Sequence, residues 1–241
     1  MFGTMFGRNR RNMLFRFGTV LFGLSVLGSS LPLFGDAGPI ERVQTTNTER
    51  MNLAPGGTVR VNDSFGHLTV EGWDRPEVEV IVVKSTTDYI APADQKGQDK
   101  AKKRLEDLHI TTERGSANDV TIATAGGRHN LTAEYEIHVP RDVKLVIHHR
   151  VGFVLVTDVA GDIEAKARRG DIVLMLRDPS AFAIDAKCKL GNVSSDLAGD
   201  IHLKYFVGER FSSGKETAHK LYLRMGFGGI TIKQISREAV P

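Results

Sequence analysis

Residues 161–174 read GDIEAKARRGDIVL, and the fold turns on them. Gly161-Asp162-Ile163 returns nine residues later as Gly170-Asp171-Ile172, and apolar and charged residues alternate after each triplet. Working outward, Gly152, Gly161, Gly170, Gly191, Gly199 and Gly228 each precede a branched aliphatic by two positions, at Val154, Ile163, Ile172, Val193, Ile201 and Ile230. Gly66 before Leu68 obeys the same rule. Such alternation is the period of a strand with one buried face, and glycine makes corners because positive φ costs it little. Gly152, Gly161 and Gly170 are evenly spaced, so two strand-and-turn units form a rung of about eighteen residues.

Stacked rungs place Val154, Ile163, Ile172, Ile184, Ile201, Leu221, Leu223 and Ile230 in one aliphatic core. Burying eight such side chains contributes on the order of 12 to 24 kcal/mol before chain entropy is charged against it. The repeat therefore explains stability without encoding chemistry.

Short alternating runs continue upstream at Val59/Val61, Leu68/Val70, Val78/Val80/Val82 and Tyr135/Ile137/Val139. One segment breaks the pattern. Between Ala93 and Leu108, Ala101, Leu105 and Leu108 fall at helical spacing, which predicts a single amphipathic helix weakened by Gly97. Its Lys100, Lys102, Lys103 and Arg104 are interspersed with Asp99, Glu106 and Asp107, the composition of a solvated face. The expected fold is all-β, a β-helix-like or β-roll-like stack of short strands with Gly turns and one inserted amphipathic helix. The expected division is a signal peptide over 1–35, a polar linker over 36–55, and a β-repeat domain over 56–236 with its helix near 93–108.

Residues 1–35 carry Arg8, Arg10, Arg11 and Arg16 and no acidic residue, then an apolar stretch from Phe17 to Leu27, then small residues. That is the layout of an export signal. Arg10-Arg11-Asn12-Met13-Leu14 resembles the twin-arginine pattern, with the general secretory route the alternative. Cleavage is expected after Gly35 or Ala37, the other possibility being an uncleaved anchor. The implied location is the periplasm, the cell envelope or the exterior. Without the four leader arginines, 28 basic residues face 29 acidic ones, which removes the basic balance a nucleic-acid partner would need.

The chain resembles the exported bacterial β-repeat proteins of the DUF4097 type, a family labelled putative adhesin. The residues that carry the resemblance are Gly66-His67-Leu68-Thr69-Val70-Glu71-Gly72-Trp73-Asp74, the Lys-rich helix, Val139-Pro140-Arg141-Asp142-Val143-Lys144-Leu145, and the run from Gly161 into Gly170-Asp171-Ile172. It spans about residues 56 to 235 and implies an exported β-helical or rolled β architecture with no catalytic residues to transfer. Val151-Gly152-Phe153 and Leu190-Gly191-Asn192 depart from the family's Ser-Gly-Asp turn.

The sequence contains no zinc-type His/Cys spacing, phosphate-cradling loop or nucleophile elbow. Cys188, the single cysteine, shares the apolar face of Phe182, Ile184 and Ala186 and reads as a small buried hydrophobe. Glu134, Glu136 and His138 share one strand face in a spacing that suits a metal or a proton relay, but any solvent face has that spacing too. His148 and His149 point to opposite faces and cannot share a metal. Arg169-Gly170-Asp171 spells an integrin-read tripeptide but is also the repeat's own turn, and Asp162, Asp171 and Asp200 are too sparse for a calcium ladder.

Lys166, Lys187, Lys189, Lys204, Arg224 and Lys233 all fall on the predicted outward face. They form a possible anionic-ligand surface, or a guard against edge pairing. The function expected is a non-enzymatic exported protein that uses its repetitive surface for adhesion or binding, with no cofactor. Its partner would be a cell-surface glycan, a lipid head group or an envelope protein, with the membrane itself met only through an uncleaved leader, if at all. The alternatives are a polysaccharide-processing β-helix enzyme and an envelope-stress accessory protein.

Overall fold

The computed structural model describes residues 41–115, 118–203, 208–214 and 219–235; the leader lies outside them. The strands in chain order are β1 (Gln44–Asn52), β2 (Thr58–Trp73), β3 (Glu77–Thr86), β4 (Leu108–Arg114), β5 (Asp119–Gly126), β6 (Leu131–Pro140), β7 (Lys144–Thr157), β8 (Ile163–Leu176), β9 (Phe182–Ser195), β10 (Asp200–Leu203), β11 (Glu209–Ser213) and β12 (His219–Gln234). Helix α1 (Gln95–Asp107) lies between β3 and β4. The strands form one mixed sheet, not closed into a barrel, with the order β1-β3-β6-β2-β7-β8-β12-β9-β11-β10, and the β4–β5 hairpin joins at β2 through β5.

β7 and β8 are parallel neighbours of 14 residues each, yet only residues 158–162 connect them. A straight strand of that length runs about 46 Å, and the connection reaches about 22 Å at most. Each strand must therefore fold back near its middle. The fold occurs at glycine. Gly66, Gly152, Gly170, Gly228 and Gly191 are paired in register across β2, β7, β8, β12 and β9, all with φ between 86° and 136°. A Cβ on any of the last four would overlap the carbonyl oxygen of the neighbouring glycine, so no other residue fits this column.

The corner also shifts the alternation by one. Val59 and Leu68, Leu145 and Val154, Ile163 and Ile172, Leu221 and Ile230, and Ile184 and Val193 are all buried, although each pair is an odd nine residues apart. Strict alternation would turn one of each pair outward. The slip lets both arms of a bent strand aim branched aliphatics at one shared core.

Three expectations need correction. The stretch read as linker contains β1, an antiparallel partner of β3 along its whole length. Only Met51 in it is even partly buried, so the strand is held by backbone pairing and carries no apolar alternation to reveal it. The strands that share the glycine column are not short ones separated by turns but continuous ones of 14 to 16 residues, creased at glycine. Ile201 is 55% exposed rather than in the core. It lies on β10, the last strand in the sheet order, opposite the buried Phe211.

Helix α1 buries Ala101 and Leu105, and Leu108 is buried as the first residue of β4. Asp94 caps it, accepting from the Gly97 N–H at 3.0 Å. A Cβ at position 97 would run into that carboxylate, so the glycine that weakens the helix interior also makes room for its cap.

Candidate functional site

Parallel register turns outward residues of successive strands into straight rows. His148 pairs with Lys166, Lys166 with Arg224, Arg224 with Lys187, Lys187 with Arg210, and Arg210 with His202. Six neighbouring strands thus present a cation or an imidazole at one level. At about 4.8 Å per strand the row runs about 24 Å. Their chain neighbours Ile147, Ala165, Leu223 and Ala186 face the core, which fixes the row's orientation.

One step along the strands lies a second row of Glu164, Tyr222, Asp185, Ser212 and Asp200. Lys166 meets Glu164 at 2.5 Å, and this hydrogen bond holds the Glu164 carboxyl below its ordinary range. Asp185 is partly buried, which works to raise its pKa. Bonds from Arg224 at 2.5 Å and Arg210 at 2.9 Å outweigh that and hold it low. The Arg224 guanidinium stacks 3.7 Å from the centre of the Tyr222 ring. Lys187 and Lys189 make no ion pair among the described residues. Both line a groove of about 360 Å³ with Cys188, His202, Gly208, Glu209 and Arg210.

Of the outward cations expected from sequence, Lys166, Arg224 and Lys187 share the row. Lys189 sits two residues past Lys187, beside the crease. Lys233 is exposed on the other arm of β12, opposite Met175. Lys204 lies outside the described residues. His148, Arg210 and His202 were not anticipated. His148 precedes Lys166 by eighteen residues, the repeat's own cadence, so that interval is the signal that finds it. Arg210 and His202 lie on antiparallel strands outside the cadence.

Cys188 is buried, donates to the Gly228 carbonyl at 3.1 Å, and has its thiol pushed up by burial, as befits a packing residue. His148 is exposed and His149 buried, on opposite faces. His149 meets the Ser64 hydroxyl at 2.9 Å, and burial lowers its pKa to about 4. The Glu134/Glu136/His138 face resolves differently. His138 Nε2 lies 3.6 Å from both Glu71 and Glu136, its Nδ1 lies 3.7 Å from Glu79, and its ring stacks on Trp73 at 5.0 Å. No metal-holding group of three occurs among the described residues. In Arg169-Gly170-Asp171 the glycine belongs to the crease and Asp171 accepts from the Gly229 N–H at 2.9 Å. Asp162 accepts likewise from the Lys220 N–H at 2.9 Å.

No family model matches the chain, and no curated protein matches it significantly. Among solved structures, it is similar to a putative cell adhesion protein of Clostridium sporogenes at 12% identity, over 79% of this chain and 100% of that one, with a TM-score of 0.46. A putative adhesin of Bacteroides fragilis is similar at 10% identity, over 79% and 97% of the two chains, with a TM-score of 0.25. A putative lipid binding protein of Parabacteroides distasonis is similar at 9% identity, over 79% and 97%, with a TM-score of 0.21.

Proposed function

We propose that the protein is a non-enzymatic, exported envelope or secreted protein that binds an anionic glycan along the outer face of its creased sheet. The observation that carries this reading is the aligned row from His148 through Lys166, Arg224, Lys187 and Arg210 to His202. A ladder of cations at strand spacing suits a repeating polyanion, which gains from many weak contacts at once. Glu164 and Asp185 temper the charge, so binding is modest and sensitive to salt. These same carboxylates are held ionised by their cation partners, the wrong condition for the general acid of a sugar-cleaving enzyme.

The test is binding of the whole chain to an acidic polysaccharide such as polygalacturonate, measured by calorimetry at several salt concentrations. Lys187→Glu combined with Lys166→Glu should weaken binding at least tenfold and flatten its salt dependence. Unchanged affinity and slope would overturn the reading.

A further inference from the structure

The crease presents a second surface, distinct from the cationic row. Immediately before each corner glycine the register aligns Val151, Arg169, Phe227 and Leu190 on β7, β8, β12 and β9. The slip in alternation turns these residues outward. Val151 is 48% exposed, Phe227 57% and Leu190 42%, so large apolar side chains stand in water on three of four adjacent strands. Scattered exposed hydrophobes need no explanation, but a row of them is a patch. Because it lies on the outside of a bend, the patch is a convex ridge.

One position earlier on the same strands stand Arg150, Arg168 and Lys189, all exposed, and Arg169 lies 5.9 Å from the centre of the Phe227 ring. Three carboxylates lie close: Asp63 is 4.0 Å from Arg150, Asp171 accepts from the Gly229 N–H, and Glu209, which lines a groove with Lys189, accepts from the Val193 N–H, against the four cations Arg150, Arg168, Arg169 and Lys189. The ridge therefore interleaves apolar tips with an excess of positive charge.

We propose that this ridge docks on an anionic lipid bilayer, with Phe227, Leu190 and Val151 entering the headgroup region while Arg150, Arg168, Arg169 and Lys189 meet lipid phosphates. Charge complementarity selects this occupant. Amphipathic surfaces of this composition lie in the interface plane, with arginine and lysine keeping their charged ends at headgroup level. A convex edge reaches a flat bilayer, whereas the aliphatic tips of Val151 and Leu190 offer a glycan chain neither a hydrogen bond nor a charge. The inference does not depend on the glycan reading, which rests on the row through Lys187, although Lys189 also lines the groove beside that row.

The experiment places an environment-sensitive fluorophore on the whole chain at Leu190→Cys or, as a control on the opposite arm, at Lys233→Cys, with Cys188 replaced by Ala in both. Vesicles of phosphatidylglycerol and phosphatidylcholine should blue-shift the label at 190, and spin-labelled lipid should quench it. The label at 233 should respond to neither, which separates the ridge from any contribution of the leader. Arg168→Glu with Lys189→Glu should weaken the response about fivefold per cation removed, and Phe227→Ser should weaken it as well. Both sites carry exposed side chains, and circular dichroism verifies folding. Equal quenching at 190 and 233, an equal response to pure phosphatidylcholine, or a concentration-dependent blue shift without vesicles, which would mark a second copy of the chain as the occupant, would each overturn the proposal.

Discussion

Gly152 and Gly170 meet across β7 and β8 with φ of 130° and 120°, and a Cβ on Gly170 would overlap the Gly152 carbonyl oxygen. Gly170→Ala should therefore cost about 3 kcal/mol or more, since it combines an unfavourable φ with a backbone collision that no side-chain motion relieves. Gly127→Ala is the control, because its Cβ would meet nothing and its φ is not positive. It should shift stability by about 0.5 kcal/mol or less. Urea unfolding of both variants checks the pair.

Ile163 and Ile201 occupy the same place in the repeat but different places in the molecule. Ile163 is 1% exposed, and Ile163→Ala should cost about 2 to 5 kcal/mol. Ile201→Ala should cost about 0.5 kcal/mol or less, since it removes a side chain already in water. Equal losses in thermal or denaturant melts would contradict the observed burial.

His149 couples the fold to acidity. Its folded pKa, lowered from 6.5 to about 4, means that the native state stays neutral while the unfolded chain takes up a proton near pH 6.5. Between those values the unfolded state binds more protons. Stability should thus fall as the pH drops from about 6.5 toward about 4, by up to about 3 kcal/mol, and change little from this source above or below. The hydrogen-bonded carboxylates Glu164 and Asp185 act with the same sign at lower pH, losing their contribution only as the pH falls below their ordinary values of 4.5 and 3.8. His149→Asn should flatten the difference between melts at pH 7.5 and pH 5.

Asp158 has φ of 58° in the connection from β7 to β8, and its carboxylate pairs with both Arg141 and Arg177. Asp158→Asn keeps a residue that tolerates this backbone and removes the charge, and should cost about 1 to 2 kcal/mol. Asp158→Val loses both and should cost more. Chemical denaturation at low and high salt separates the two contributions, because only the charge is screened.

Much of the architecture was legible because two regularities are written in residue identity: alternation around Ile163 and Ile172, and glycine at the eighteen-residue interval from Gly152 to Gly170. The partners of each strand were not legible. Nothing local tells β9 to pair with β12, since parallel pairing depends on which apolar faces meet after collapse. β1 was missed because a strand exposed on both sides has no hydrophobic period. Ile201 was misplaced because its Gly199 spacing matches the repeat although its strand stands at the end of the sheet. Of the cationic row, Lys166, Lys187 and Arg224 were found by outward phase alone. Arg210 and His202 needed antiparallel register, which the spacing of residues along the chain does not reveal.

The position of β12 between β8 and β9 sets the order of assembly. Both flanking strands precede it in the chain, so until residues 219–234 arrive each has an edge with unpaired backbone groups waiting for the same late ribbon. The molecule cannot be lengthened simply by appending another coil at its end, as an open solenoid can. A chain interrupted before residue 219 would expose two sticky borders at once, and association with other nascent copies would compete with completion.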